Sequence, residues 1–243
     1  TDGLFLVDSA RLNAVNAQED VMIAPRHGGT AVRRGDKLAG MRVIPLVIEE
    51  EKLRRAEEAA GKQPLLELLP WKLKTAAIVT TGSEVAKGLI QDSFTPVVER
   101  KLAEFGIHTV ERRTPGDGIE AVKSAILEVK AARPDLILCT GGMSVDPDDN
   151  TPGAVKRSGA RIVTYGAPVL PGAMFLLGYF EDGTPILGLP GCVMYAKRTI
   201  FDLVLPKAAA GVPITRADIA VLGEGGLCLG CQVCTYPNCG FGK

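Results

Sequence analysis

The spacing of apolar residues changes character near residue 74. Before it, GTAVRRGDKLAG and MRVIPLVI read as short strands and turns, with Gly35-Asp36 as turn punctuation. EEEKLRRAEEAAGK reads as a charged helix whose acidic start suits the positive end of the helix dipole, with Gly61 as its stop. Residues 1–74 are therefore expected to form a small α+β piece. From Lys74 onward, short apolar runs alternate with stretches of helical period. Strands are expected at Ala76–Thr80, Ile107–Val110, Asp135–Cys139 and Arg161–Thr164. A helix is expected to open at Ser93-Phe94-Thr95-Pro96, run through Phe105 and stop at Gly106. A second is expected at Ile119–Ala132. A third starts at Thr151-Pro152, with Asn150 or Thr151 as cap. Met174–Tyr179 and Pro185–Leu189 flank the turn Glu181-Asp182-Gly183-Thr184 as a hairpin, and a last helix is expected from Val193 to Leu205, ended by Pro206.

This order predicts an α/β fold with three α/β/α layers and a mostly parallel, right-handed sheet. The expected organisation is residues 1–74 as the N-terminal α+β segment, 75–211 as the α/β domain and 212–243 as a Cys-rich tail. In such sheets ligands gather beyond the carboxyl ends of the strands. That rule selects Thr81-Gly82-Ser83-Glu84, Gly141 to Asp149, and Pro190-Gly191-Cys192. Each loop taken alone also reads as a tight structural turn.

Composition narrows the function classes. Hydrophobic residues make up 46% and charged residues 23%, which is enough for a real core and argues against disorder. Lys plus Arg and Asp plus Glu balance at 28 each, so the basic excess of a nucleic-acid binder is absent. The apolar run around Val169–Phe180 is broken by Pro171, Gly172 and Gly178, which makes it unsuited to a membrane span. The chain opens at Thr1 without a basic-then-apolar leader, and it reads as a fragment of a longer soluble, cytoplasmic protein. Only His27 and His108 are present, which weakens any Ser-His-Asp or His-rich zinc reading.

TGGMSVDPDDNTP, residues 140–152, combines an anion-binding element with carboxylates. Glycines let backbone N–H groups approach a phosphate, and the following helix start adds favourable potential. Aspartates oppose that anion unless a divalent cation lies between them. Mg²⁺ prefers one or two carboxylates with phosphate oxygens and waters, so a Gly loop followed by Asp suits a Mg–phosphate ligand. Asp149 is the first candidate, then Asp146 and Asp148. Asp117, in Pro115-Gly116-Asp117-Gly118, is a further carboxylate. Asp-Pro-Asp-Asp-Asn is equally good turn and cap sequence, and both readings stand.

TTGSEV, PGDG, TGGMSVDPDDNTP, YGAPVLPG and ILGLPGC occur in the order and approximate spacing of the molybdopterin-binding domain, which this chain resembles over about residues 75–210. That domain is shared by molybdopterin adenylyltransferases of the MogA type and molybdopterin molybdotransferases of the MoeA type. The resemblance implies that Gly141, Gly142 and Ser144 hold the terminal phosphate of the pterin side chain, with Met143 and Asp146 in the same loop. It implies a magnesium-linked role for Asp149 and a functional role for Asp117. Thr81, Gly82, Ser83 and Glu84 match the first loop, and Pro190, Gly191 and Cys192 occupy the last. The implied chemistry is adenylyl transfer from ATP to molybdopterin, or cleavage of the adenylylated form with molybdate insertion. Homo-oligomers and other Mo-cofactor proteins are implied partners. Met143-Ser144-Val145 sits nearer to the molybdotransferase pattern SGGVSVG, with Asp146 in place of its glycine and Cys192 where LPGNP has asparagine. These departures bear on catalysis more than on binding, so a non-catalytic carrier or regulator of the cofactor is the alternative.

CLGCQVCTYPNC places Cys228, Cys231, Cys234 and Cys239 at C-x2-C-x2-C-x4-C. The first spacings are those of a ferredoxin cluster loop. A zinc ribbon separates two C-x2-C pairs more widely. A 4Fe-4S cluster, Zn²⁺ and free or paired thiols are the three readings, and a redox or metal-sensing role follows from the first two. Cys139 reads as a buried strand residue.

Overall fold

The protein is described by a computed structural model covering residues 1–83, 89, 91–143 and 150–243. The chain divides into two units, Thr1–Trp71 and Lys72–Lys243.

In the first unit, β1 (Gly3–Val7) lies between β3 (Thr30–Val32) and β5 (Leu66–Pro70), antiparallel to both. A separate antiparallel ribbon pairs β2 (Val21–Pro25) with β4 (Ala39–Val43). Helix α2 (Glu50–Ala60) begins with Glu50 and Glu51 and ends at Gly61, whose φ of +71° is readily adopted by glycine. Helix α1 (Ser9–Asn16) was not among the expected elements. Its sequence SARLNAVN buries only Val15, so no apolar stripe announces it. Polar contacts fix it instead. The Asp8 carboxylate accepts from the Arg11 N–H at 3.0 Å, and the Arg11 guanidinium donates to the carbonyls of Ala60, Gln63 and Pro64 at 2.7–2.9 Å. One arginine thus ties the start of α1 to the end of α2, over a core of Val15, Val21 and Ala56.

The second unit is built on a six-stranded sheet in the order β7-β6-β8-β11-β10-β9. Its strands are β6 (Thr75–Thr80), β7 (His108–Arg113), β8 (Leu136–Thr140), β9 (Arg161–Tyr165), β10 (Leu176–Tyr179) and β11 (Pro185–Leu189). Strands β7, β6, β8 and β11 run parallel, and β10 runs antiparallel to both neighbours. This is the expected mostly parallel α/β sheet, including the β10–β11 hairpin. Strand β8, LILCT, is buried along its whole length, as a central strand covered on both faces requires. Each fully buried leucine or isoleucine there contributes roughly 1.5–3 kcal/mol. The strand is anchored at its start by Asp135, whose carboxylate accepts from the N–H groups of Lys74 and Thr75 at 2.8 and 2.9 Å.

Helices α4 (Ile119–Ala131) and α5 (Thr151–Arg157) cover one face. Val122, Ile126, Val129, Ala154 and Val155 pack there with Ala77, Val79, Ile137 and Cys139. Alternation along the strands turns the equally buried Ile78, Leu136 and Leu138 to the other face. Helix α3 (Phe94–Ala103) packs against β6 and β7. The right-handed β6–α3–β7 and β7–α4–β8 crossovers move in opposite directions across the sheet, which puts α3 on the face away from α4. Helix α6 (Ile200–Ala209) joins α3 through the buried pair Lys101–Asp202 at 2.5 Å, and a short α7 (Arg216–Ala220) follows.

The helix expected from Val193 to Leu205 differs from what forms. Gly191–Met194 makes one 3-10 turn, and α6 starts only at Ile200. The start is set by a capping box: the Thr199 hydroxyl accepts from Phe201 N–H, and Asp202 accepts from Thr199 N–H at 2.8 Å. Pro206 lies inside the helix rather than ending it. A proline there cannot donate to the carbonyl of residue 202. The Tyr236 hydroxyl donates to that Asp202 carbonyl instead, at 2.9 Å, so the interruption leaves no orphan acceptor.

No helix among the described residues is long and apolar enough to cross a membrane.

Candidate functional site

Parallel strands ending side by side bring their following loops together. Thr80 of β6 lies beside Thr140 of β8, which in turn lies beside Leu189 of β11. The loops after these strands therefore share one edge of the sheet, and they interlock. Thr81 N–H donates to the Thr140 carbonyl at 2.8 Å, and the Thr81 hydroxyl donates to the same oxygen at 3.2 Å. Gly141 passes so close to Thr81 that a Cβ would meet its carbonyl oxygen at 2.4 Å. Gly142, at φ +54°, would bring a Cβ to 2.8 Å from Thr151 Oγ1. The Thr151 hydroxyl donates to the Gly141 carbonyl at 2.9 Å. Both glycines are thus demanded by the backbone path itself.

The loop after β7 joins the same cluster. The Asp117 carboxylate accepts from Ser83 N–H at 2.9 Å, linking the β7 and β6 loops. Asn150 donates its side-chain amide to the Asp117 carbonyl at 2.9 Å. Asn150, one of the two expected cap residues, occupies the N-cap of α5 but makes no side-chain cap bond. Its amide is already committed to Asp117, and Thr151 braces Gly141. These two struts are the site residues that sequence reasoning treated only as helix-cap candidates. Met143 is buried, and its carbonyl accepts from the Tyr165 hydroxyl at 3.2 Å. Tyr165 was not singled out, although its YGAPVLPG context was.

Pro190, Gly191 and Cys192 follow β11 on the same edge. A Cβ at Gly191 would meet no atom of the described residues within 4 Å, and Gly191 is not among the positive-φ residues. Neither packing nor backbone strain explains this glycine. Cys192 is half-buried, and burial raises its thiol pKa, which keeps it protonated at neutral pH. Cys139 is fully buried in β8 and its thiol is pushed up to about 12, an inert core residue as expected. Thr140 Oγ1, at the end of the same strand, is fully buried with no hydrogen-bond partner among the described residues.

Thr81, Gly82, Ser83, Asp117, Gly141, Gly142, Met143, Pro190, Gly191 and Cys192 accordingly lie in the loops of one edge. The expected sites at Glu84, Ser144, Asp146, Asp148 and Asp149 lie outside the described residues. Among the described residues, no group of three or more His, Cys, Asp or Glu is placed to hold a metal ion. Cys228, Cys231, Cys234 and Cys239 are free thiols.

The family model described as "Probable molybdopterin binding domain" matches residues 77–210. The chain is 31% identical over 153 residues to a molybdopterin molybdenumtransferase of Staphylococcus epidermidis, covering 55% of this chain and 35% of that protein. It is 33% identical over 86 residues to a CinA-like protein of Pseudothermotoga lettingae, covering 35% of this chain and 21% of that protein. The crystal structure of the molybdopterin biosynthesis enzyme MoaB from Thermus thermophilus aligns with a TM-score of 0.48 at 26% identity, over 56% of this chain and 91% of that one. The matches span only 21–35% of the length of these curated relatives. With more than half of its residues inside the family match, and the loop edge described above within it, this chain belongs to the molybdopterin-binding domain family.

Proposed function

We propose that the chain binds molybdopterin along the edge formed by the loops after β6, β7, β8 and β11, with the pterin's terminal phosphate at Gly141-Gly142. The observation that carries this reading is the contrast among the glycines. Gly141 and Gly142 are fixed by contacts under 3 Å, whereas a Cβ at Gly191 would touch none of the described residues. A tightly packed glycine turn beside open space is what a bulky anionic ligand needs.

The residues divide the work in simple terms. Backbone N–H groups of the Gly loop and the Ser144 hydroxyl hold the phosphate, and Asp117 keeps the Ser83 loop in register through its backbone contact. Mg²⁺, held by Asp149 with Asp146 and Asp148 nearby, would neutralise phosphate charge during adenylyl transfer from ATP or cleavage of the adenylylated pterin. Glu84 is assigned to the ligand by the resemblance to the family's first loop. A role with molybdenum cofactor implies a cytoplasmic homo-oligomer that meets other cofactor-handling proteins.

A steric test isolates the pterin claim. Gly191→Val should leave the unfolding midpoint within about 0.5 kcal/mol of wild type, because its side chain enters free space. The same change should weaken molybdopterin binding at least tenfold in an anaerobic titration. Equal pterin binding by wild type and Gly191→Val would remove that glycine from the site. Asp149→Ala should abolish magnesium-dependent turnover of ATP and molybdopterin. If wild type binds pterin but shows no turnover under any condition, the chain is a carrier or regulator rather than a transferase.

A further inference from the structure

The four tail cysteines are not scattered over the surface. Cys228, Cys231, Cys234 and Cys239 all line one cavity of about 430 Å³, walled also by Tyr236 and Phe241. We infer that this cavity is an iron–sulfur cluster site, with the four thiolates as its ligands, built against the loop that follows β11.

The tail is packed for such a role although it contains almost no regular structure. Leu170 N–H donates to the Gly226 carbonyl and Cys228 N–H donates to the Leu170 carbonyl, both at 2.8 Å. The Lys197 ammonium donates to the Gln232 carbonyl at 2.7 Å and to the Cys231 carbonyl at 3.3 Å. Tyr236 is fastened to Asp202, and Phe241 is buried at 5% exposure. Gly242 lies so close to Leu203 that a Cβ would approach its Cδ2 to 2.4 Å. The cysteine loop is therefore held from both ends and at its middle.

The arrangement distinguishes among the three ligand chemistries. A zinc ribbon draws its ligands from two well-separated C-x2-C pairs, whereas three of these cysteines come from one C-x2-C-x2-C run, as in a ferredoxin cluster loop. All six cysteines of the chain are free, so the tail is not closed by disulfides either. Four thiols lining one cavity of this size suit a polynuclear cluster. The spacing C-x2-C-x2-C supplies three ligands from one loop and Cys239 supplies the fourth from across the cavity.

The charge environment agrees. Four thiolates leave a cluster with net negative charge, and each thiol must lose its proton on ligation. Lys197 and Arg198 line the same cavity. Arg198 stacks over the Tyr236 ring at 4.9 Å and pairs with Asp202 at 2.8 Å, which fixes its guanidinium in place. Tyr195 to Arg198 directly follow the Gly191–Met194 turn, so the cluster and the loop edge share a segment of chain. The cluster assignment does not depend on the pterin reading.

The test is anaerobic reconstitution of the full chain with ferrous iron and sulfide. Iron and acid-labile sulfide are then measured after desalting, alongside electron paramagnetic resonance of the dithionite-reduced sample. The expected result is about four iron and about four sulfide per chain, with a cluster signal on reduction. The Cys231→Ser/Cys234→Ser variant changes two exposed side chains. It should keep the wild-type circular dichroism and lose both iron and sulfide. Uptake of one zinc per chain without sulfide, no bound metal at all, or iron retained equally by the double variant would each overturn the assignment.

Discussion

At Gly142 a single hydrogen atom decides whether the loop can close. The residue sits at φ +54°, and a Cβ would be forced to 2.8 Å from Thr151 Oγ1. Gly142→Ala combines left-handed backbone strain with a clash against a braced hydroxyl, so it should cost about 1–3 kcal/mol in urea unfolding. Asp202 is a heavily committed carboxylate. It pairs with the buried Lys101 and with Arg198, and it closes the capping box of α6. Asp202→Ala leaves those cations facing an apolar gap and should destabilise by roughly 3–5 kcal/mol. Acid sensitivity also belongs to individual residues. Burial works against the charge of Asp218, but the Thr215 hydroxyl and backbone N–H and the Lys207 ammonium outweigh it, lowering the pKa from 3.8 to about 2. A depressed carboxyl contributes its stability above 3.8 and loses it as pH falls towards 2. Asp218→Asn should therefore be less stable than wild type at about pH 6, with the difference shrinking as unfolding is followed down through that window.

Between residues and fold, α6 shows how an element survives a residue that ought to stop it. Pro206 removes the hydrogen bond to the Asp202 carbonyl, and the Tyr236 hydroxyl restores it from the tail. Tyr236→Phe should cost about 1–2 kcal/mol by stranding that carbonyl. Adding Pro206→Ala, which returns an N–H to the helix, should recover most of the loss. Additive effects of the two changes would contradict this coupling. The same helix shows the limit of reading elements from apolar runs. Val193 to Leu205 has enough apolar residues to suggest continuous helix, yet Thr199-Ile200-Phe201-Asp202 already carried the capping signal that sets the true start. Helix α1 was invisible for the opposite reason: it is specified by Asp8 and Arg11 rather than by a stripe. Strand β8 and helix α4 were legible because burial on both faces and a one-sided stripe leave unambiguous patterns.

For the whole molecule, the parallel sheet was readable from the alternation of strand and helix, and the loop edge followed from where parallel strands end. The order β7-β6-β8-β11-β10-β9 was not, because strand neighbours are chosen by packing over long sequence separations. Nor was the work of Asn150 and Thr151, since a helix-cap sequence does not reveal which loop its side chains will brace. The tail likewise read as a motif of four cysteines, and only the fold shows them around one cavity. The central claim is that the loop edge of this sheet holds molybdopterin. The most direct measurement is an anaerobic titration of the metal-free full chain with purified molybdopterin, with bound pterin quantified by oxidation and fluorescence. Saturable binding of one pterin per chain, lost in Gly191→Val at unchanged thermal stability, is the expected result. No retained pterin in the folded wild-type chain would contradict the account.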